Sequence, residues 1–157
     1  IHAVFAIGHN DLFSVFNGKP RHVFQWHITH ACNLRCSHCY QDAGDAKSAE
    51  LTTEEGKKLI DEIARAGFKI MIFSGGEPLM RPDIFELVAY AASKGLRPVF
   101  GTNGMMITKE VAQKLKDCGA MAMGISLDSL WHEAAGSDMF PEYTIRSKTV
   151  GLIGETD

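Results

Sequence analysis

Residues 52–78 of the chain are TTEEGKKLIDEIARAGFKIMIFSGGEP, a helix signal followed by a glycine and then by a strand signal. Thr52 and Glu55 have the spacing of a capping box, which marks the start of a helix. Apolar residues at helical spacing follow, and Gly67 is a natural stop because glycine takes the left-handed conformation at low cost. The apolar run after Gly67 predicts a strand over Phe68–Ser74.

The same unit recurs along the chain. A second helix is predicted from Pro82 to Gly95 and a third from Thr108 to Gly119, at intervals close to the roughly 30 residues of a strand–helix unit. The remaining strands are predicted at Val23–Thr29, Arg97–Gly101 and Met121–Leu127. Alternation of strands with helices predicts an α/β fold with a parallel sheet.

Two of these strands alternate between an apolar face and a small or polar face. The small or polar face carries Gln25, His27 and Thr29 in the first strand and Ala122, Gly124, Ser126 and Asp128 at the last. A parallel sheet covered by helices on both faces is apolar on both. The pattern therefore favours a barrel lumen that holds a ligand, with Gln25 and His27 facing substrate. An open sheet with polar residues at its strand ends is the alternative.

The composition excludes several functional classes. A hydrophobic content of 45% with 22% charged residues is ordinary for a globular protein and argues against a disordered, collagen-like or coiled-coil chain. A net charge of −3 offers no basic face for phosphates, so we expect no nucleic-acid partner. No apolar run approaches the roughly 18–20 residues of a membrane span, so we expect no membrane partner.

Three of the four cysteines are clustered directly after the first predicted strand. Cys32, Cys36 and Cys39 form the pattern C-x3-C-x2-C, whereas Cys118 lies far away near the end of a helix and is expected to be a buried thiol. Three neighbouring thiols cannot pair without leaving one over, so a disulfide framework is disfavoured. We expect a metal site in a reducing compartment, which favours the cytoplasm.

Two kinds of metal site fit this cluster of thiols. Iron–sulfur clusters are usually held by four thiolates, so three would leave one iron of a [4Fe–4S] cluster open to an outside ligand. The alternative is a structural zinc site, in which His30 or His38 would be the fourth ligand beside the three cysteines.

The chain resembles the radical S-adenosylmethionine (radical SAM) enzymes in four motifs that follow one another in the order of that family. The cysteine motif of the family is C-x3-C-x-Φ-C, and His38 stands at Φ, which is usually aromatic. Gly75-Gly76-Glu77-Pro78 (GGEP), Thr102-Asn103-Gly104 (TNG) and Ser126-Leu127-Asp128 follow at the ends of three successive predicted strands. Barrel enzymes place their chemistry at these carboxyl ends.

The resemblance implies a partial (β/α)6 TIM-like barrel with about four to five β/α units. It divides the chain into an N-terminal extension at 1–22, a radical SAM core at 23–130 and a divergent or truncated segment at 131–157. Since the chain begins with Ile1 and is short for the fold, we expect it to be a fragment or a processed form.

The resemblance also implies the cofactors and the residues that bind them. Cys32, Cys36 and Cys39 would hold a [4Fe–4S] cluster. The residues implied for S-adenosylmethionine are His38, Tyr40, Gly75, Gly76, Glu77, Pro78, Thr102, Asn103, Ser126 and Asp128. Within this set, the GGEP loop would hold the methionyl amine, with its glycines allowing close approach to the ligand. Ser126 and Asp128 would contact the ribose, and Tyr40 and the backbone near His38 would flank the adenine.

The implied activity is that of an oxidoreductase. Reductive cleavage of S-adenosylmethionine would give a 5′-deoxyadenosyl radical that abstracts hydrogen from a peptide or small-molecule substrate, in peptide maturation or in haem biosynthesis. The expected partner is a low-potential electron donor of the flavodoxin or ferredoxin type. The alternatives are a non-catalytic iron–sulfur electron carrier and an inactive fragment of such an enzyme.

Overall fold

The computed structural model of the chain describes residues 3–4, 23–36, 39–47 and 49–126. Within these ranges the strands are β1 (Ala3–Val4), β2 (Val23–Thr29), β3 (Ile70–Gly75), β4 (Arg97–Thr102) and β5 (Ala122–Ile125). The α-helices are α1 (Thr53–Arg65), α2 (Ile84–Ser93) and α3 (Lys109–Asp117), and a short 3₁₀ turn covers Pro78–Met80.

The described strands form one sheet in the order β1-β2-β3-β4-β5. The four strands from β2 to β5 are parallel, and β1 pairs with β2 in the antiparallel direction through Ala3–Trp26 and Val4–Gln25. Crossovers between parallel strands are almost always right-handed, so a strand order that follows the chain places successive helices on one face of the sheet. That arrangement is the wall of a β/α barrel rather than a doubly wound open sheet.

The apolar core lies between the helices and one face of the sheet. Phe73 is at its centre, with ring centroids 6.2 Å from Trp26 and 6.1 Å from Phe100, one ring from each neighbouring strand. The buried core residues are Trp26, Ile28, Met71, Phe73 and Phe100 from the strands and Ile60, Ile63, Ile84, Leu87, Val88, Ala91 and Leu115 from the helices. Burial of these side chains holds the helices against the sheet.

The opposite face carries the small and polar residues of β2 and β5, together with Ile72 of β3 and Val99 of β4. Cross-strand register places His27 level with Ser74, and Gly101 level with Gly124. Side chains alternate between the two faces of a strand, so this row lies away from the aromatic core. The predicted small, polar face is therefore present, and it leads up to the strand ends that carry the motifs.

The predicted elements are confirmed with small shifts at their ends. The first predicted strand has the bounds of β2, whereas β3 begins two residues later than predicted and β5 is shorter at both ends. The capping box of Thr52 and Glu55 is formed at α1. The three stop glycines, Gly67, Gly95 and Gly119, all have positive φ angles between 77° and 88°. Leu127 and Asp128 lie outside the described residues.

No helix in the described part of the chain is both long and apolar enough to span a membrane.

Candidate functional site

The loops that follow β2, β3 and β4 meet at one edge of the sheet, because the carboxyl ends of parallel strands lie together. The loop after β2 carries the three cysteines and spans residues 30–44; we call it the cysteine loop. The GGEP loop spans residues 75–81, and the TNG loop spans residues 102–105.

The cysteine loop is closed at its base by backbone hydrogen bonds. The amide of Cys32 donates to the carbonyl of Gly44 at 2.8 Å, and the amide of Gly44 donates to the carbonyl of His30 at 2.9 Å. The side chain of Glu50 adds a bond from outside the loop, because its Oε1 accepts from the amide of His30 at 2.7 Å and from Oγ1 of Thr29 at 3.1 Å. The first cysteine therefore has a well-defined position relative to β2.

The three cysteines of this loop are free thiols of intermediate exposure. Two of their sulfurs receive N–H donors, since Cys32 Sγ accepts from the amide of Leu34 at 3.4 Å and Cys39 Sγ accepts from the amide of Ala43 at 3.5 Å. Soft thiolates supported by N–H donors are a donor set that fits an iron–sulfur cluster.

The spacing of these side chains also bears on the zinc alternative. Over residues 23–36, 39–47 and 49–126, no three cysteine, histidine, aspartate or glutamate side chains lie close enough together to hold one metal ion. The three cysteines and His30 thus form no single-ion site in this structure, and His38 lies outside the described residues. A [4Fe–4S] cluster is bound through several irons, so its ligands do not have to meet at a point.

The two glycines of the GGEP loop allow this loop to approach the cysteine loop. A Cβ added at Gly75 would lie 2.4 Å from the carbonyl oxygen of Thr29, and one added at Gly76 would lie 2.2 Å from that of Ala31. The amides of Gly76 and Glu77 donate to these same two carbonyls at 2.9 and 2.7 Å. The close approach predicted toward a ligand is thus, in this structure, an approach to the neighbouring backbone.

Glu77 is fully buried, with 0% exposure, and its carboxylate is surrounded by hydrogen-bond donors. The amide of Leu79 donates to Oε1 at 3.1 Å, the amide of Asn103 donates to Oε2 at 2.9 Å, and Oγ1 of Thr102 lies 2.9 Å from both oxygens. Burial raises the pKa of the Glu77 carboxyl above its ordinary value, against the lowering effect of these hydrogen bonds. The buried carboxylate of Glu77 thus connects the GGEP loop to the TNG loop.

Asn103 lies between the TNG loop and the cysteine loop. Its Nδ2 donates to Oδ1 of Asn33 at 2.8 Å and to Sγ of Cys32 at 3.8 Å, while its Oδ1 accepts from the amide of Met105 at 2.9 Å. The sequence places Asn103 at the site, but its contact with a cysteine comes from the structure alone.

Tyr40 of the cysteine loop lies against the polar residues of β2. Tyr40 is 78% exposed, and its ring centroid is 6.1 Å from that of His27, whose Nε2 lies 2.9 Å from Nε2 of Gln25. Gln41 donates to the carbonyl of Gly75 at 3.1 Å and so fixes the far end of the cysteine loop to the GGEP loop. A cavity of about 530 Å³ runs along β2 here, and Glu50 is also part of its wall.

Arg81 and Asp83 form a largely buried ion pair that the sequence interpretation missed. Arg81 is 6% exposed, its Nε lies 2.6 Å from Asp83 Oδ1, and its other nitrogens donate to the carbonyls of Ile28 and Leu51 at 3.0 and 2.8 Å. Burial alone would raise the pKa of Asp83, but hydrogen bonds from Arg81 and Thr53 hold it below its ordinary value. The pair fastens the end of the GGEP loop to β2 and α1.

The remaining predicted site residues divide between described and undescribed positions. Pro78 is buried at the start of the 3₁₀ turn, and Ser126 is exposed, with its amide donating to the carbonyl of Thr102 at 2.9 Å. His38 and Asp128 lie outside the described residues. The structure therefore brings together the cysteines, GGEP and TNG, and places Ser126 directly after β5, bonded to the last residue of β4.

The sequence of this chain was compared with the models of known protein families. The profile of the radical SAM superfamily matches residues 26–153, which is most of the chain. The chain belongs to the radical SAM superfamily. The cofactors of this superfamily are a [4Fe–4S] cluster and S-adenosylmethionine, and the resemblance seen in the four motifs is thus confirmed at the level of family.

Two curated proteins are similar to about two thirds or more of this chain. The Fe-coproporphyrin III synthase of Methanosarcina barkeri is 49% identical over 116 residues, which are 73% of this chain and 29% of that protein. The mycofactocin maturase MftC of Mycobacterium tuberculosis is 43% identical over 103 residues, which are 66% of this chain and 26% of that protein. The chain thus spans less than a third of the length of either relative.

A solved radical SAM structure confirms the fold. SuiB of Streptococcus suis, crystallised with its precursor peptide SuiA, superposes with a TM-score of 0.61 at 18% identity, over 71% of this chain and 25% of SuiB. The prediction of a partial barrel of the radical SAM type is confirmed.

Proposed function

We propose that this chain is the S-adenosylmethionine-cleaving part of a radical SAM enzyme and that Cys32, Cys36 and Cys39 hold its [4Fe–4S] cluster. The observation that carries the proposal is the junction of the three motif loops at one edge of the sheet. The amide of Glu77 donates to the carbonyl of Ala31 at 2.7 Å, directly before the first cysteine. An electron carrier has no need of GGEP and TNG loops joined to its cysteines.

When bound, the cluster and S-adenosylmethionine supply one-electron cleavage of the sulfur–C5′ bond and a 5′-deoxyadenosyl radical that abstracts hydrogen from the substrate. The chain's own residues bind and orient. We assign the backbone of Gly75–Gly76 to the methionyl amine, with Glu77 and Thr102 fixing that backbone from below. Ser126 and Asp128 are assigned to the ribose, and Tyr40 with the backbone near His38 to the adenine.

The test of this proposal is anaerobic assembly with iron and sulfide, followed by reduction in the presence of S-adenosylmethionine and measurement of 5′-deoxyadenosine. We expect Cys32→Ala, Cys36→Ala and Cys39→Ala each to abolish the product. Cys118→Ala is the matched control and should retain it, because Cys118 lies at the end of α3, where its thiol bonds the carbonyl of Leu115. Cleavage at the wild-type rate in any of the three variants would contradict the proposal.

A cluster that assembles but gives no cleavage in the unmodified protein would favour the electron carrier or the inactive fragment. The test should use the protein at its natural length, because this chain spans only 29% of the length of the Fe-coproporphyrin III synthase.

For the substrate class we propose a tetrapyrrole of haem biosynthesis. The support is the greater similarity to Fe-coproporphyrin III synthase, 49% over 73% of the chain, than to the peptide maturase, 43% over 66%. The maturase similarity makes a peptide the second candidate. Carboxylated tetrapyrroles and ribosomal peptides should be compared for their stimulation of 5′-deoxyadenosine formation, and stimulation by the peptides alone would reverse this order.

The electron donor and the location follow from the same chemistry. We propose a low-potential flavodoxin or ferredoxin as the donor, because cleavage requires one electron of low potential. We propose the cytoplasm as the location, since all four cysteines are free in the described structure and a reducing compartment preserves such thiols. Residues 23–130 are proposed as the core domain, with 1–22 and 131–157 as its flanking segments.

A further inference from the structure

The carboxamide of Asn103 has only one orientation that satisfies its neighbours. The backbone amide of Met105 donates to it at 2.9 Å, so the atom at that position must be the oxygen. The NH2 group must then face the cysteine loop, where it finds Oδ1 of Asn33 at 2.8 Å and Sγ of Cys32 at 3.8 Å. Each of its two protons has one acceptor, and the assignment of oxygen and nitrogen follows from the network.

The backbone of Asn103 is fixed by groups that are buried. Its amide donates to Oε2 of Glu77 at 2.9 Å, and the preceding residue, Thr102, is only 2% exposed. Glu77 in turn donates its own amide to Ala31, the residue before Cys32. The donor and the cysteine therefore share one rigid support, and the N–H group is oriented toward the sulfur before any cofactor binds.

This donor differs in origin from the other donors described at the cysteines. The amides of Leu34 and Ala43, which contact Cys32 and Cys39, belong to the cysteine loop itself. Asn103 comes from the end of β4, 71 residues along the chain from Cys32. It is a side-chain donor, so substitution can remove it while the cysteine loop keeps its sequence.

Hydrogen bonds to ligand sulfurs are among the factors that set the reduction potential of an iron–sulfur cluster. Reduction adds a negative charge, part of which resides on the sulfurs, and an N–H donor stabilises that charge. We infer that Asn103 is a positioning and potential-tuning residue, whose N–H donation to Cys32 Sγ raises the reduction potential of the cluster. The inference rests on the proposed function, in that it requires the cluster to be held by the three cysteines.

The experiment is a redox titration of the assembled protein without S-adenosylmethionine, followed by electron paramagnetic resonance of the reduced cluster. Asn103→Ser is the primary variant, because its hydroxyl still accepts the Met105 amide while the donor to Cys32 is lost. Asn103→Leu removes both interactions at similar volume. Asn33→Ala is the matched control, since it removes the second acceptor of the carboxamide and keeps the contact with Cys32.

We expect Asn103→Ser and Asn103→Leu to assemble the cluster with wild-type iron and sulfide content. At a fixed ambient potential their ratio of reduced to oxidised cluster should fall up to tenfold, which is a shift of about 59 mV to more negative potential for a one-electron couple. Asn33→Ala should titrate as the wild type does.

An unchanged midpoint in Asn103→Ser with a complete cluster would overturn the inference and leave the proposed function intact. Loss of the cluster in both Asn103 variants would overturn it as well, because it would make Asn103 an assembly residue. Absence of a cluster from the wild-type protein, or one retained in Cys32→Ala with the wild-type potential, would overturn the proposed function together with this inference.

Discussion

The cysteine loop and the GGEP and TNG loops meet at the same edge of the sheet but are held there in different ways. The cysteine loop is closed by backbone pairing, and its ion pair between Arg35 and Asp45 is exposed, at 60% and 100% of the two side chains. The GGEP and TNG loops are held by buried polar side chains, of which Glu77, Thr102 and Arg81 have their partners inside the protein.

This difference predicts how much stability the protein loses when residues in each loop are substituted. Buried polar groups with full hydrogen bonding are costly to disturb, because removing one partner leaves the other desolvated. Exposed ion pairs contribute little, because water and salt screen them. We therefore expect changes in the GGEP and TNG loops to cost more stability than changes at the exposed contacts of the cysteine loop.

The largest effect is expected from breaking the buried ion pair. Arg81→Met leaves Asp83 without its main partner and should lower the free energy of unfolding by about 3–5 kcal/mol, measured by urea denaturation. The double variant Arg81→Met with Asp83→Leu should recover part of this loss, because no uncompensated charge remains. Equal destabilisation in the single and double variants would show that the hydrogen bonds of Arg81 to Ile28 and Leu51 matter more than the ion pair.

The next effect is expected where the two kinds of loop approach each other. Gly76→Ala places a Cβ against the carbonyl oxygen of Ala31, so one backbone has to move, at a cost of roughly 1–3 kcal/mol. Because Ala31 precedes Cys32, iron content after cluster assembly should fall as well. Gly95→Ala is a useful comparison: it has open space around its Cβ and a φ of 77°, so it reports backbone strain without contact.

Glu77→Gln tests the connection between the GGEP and TNG loops. The amide retains only one acceptor oxygen, so an N–H donor of Asn103 or Leu79 loses its partner, and we expect a loss of about 1–3 kcal/mol.

The effect of Glu77→Gln should depend on pH. Because the pKa of Glu77 is raised in the folded state, its ionisation opposes folding, and wild-type stability falls as the pH rises from the unfolded pKa through the folded one. The difference between wild type and variant should therefore be greatest at acid pH and shrink toward neutrality. A difference that grows toward neutrality would contradict the raised pKa.

The smallest effect is expected at the exposed ion pair of the cysteine loop. Asp45→Ala should leave both the free energy of unfolding in urea and the iron content unchanged within experimental error, because the contact with Arg35 is 3.4 Å long and exposed. A loss as large as that of Glu77→Gln would mean that the cysteine loop is held as firmly as its neighbours, and the contrast between the loops would fail.

The sequence predicted the elements well because their signals are local. Alternation of side chains marked β2, a capping box marked α1, and the stop glycines marked the helix ends. Arg81 escaped prediction because its partners at Ile28 and Leu51 are 53 and 30 residues away and form only when the sheet is assembled. Glu50 was missed for the same reason, since it acts on the end of β2.

The residues of the site could be predicted from the sequence, but their contacts could not. The motif residues are recognisable in the chain, and the parallel strands bring their loops together. What each residue contacts is a matter of packing: Gly75–Gly76 approach the neighbouring backbone, and the carboxylate of Glu77 is enclosed rather than open to solvent. Neither contact has a signature at the level of residue spacing.

The short strand β1 has a consequence for the shape of the barrel. A closed barrel pairs its last parallel strand with its first, yet β1 occupies the outer edge of β2 beside Gln25 and Trp26 and runs in the opposite direction. Among the described strands, β5 is therefore the edge of the sheet that has no parallel neighbour on its outer side. The strand that carries the polar wall of the cavity, with Gln25 and His27, is therefore the same strand whose outer edge is paired with β1.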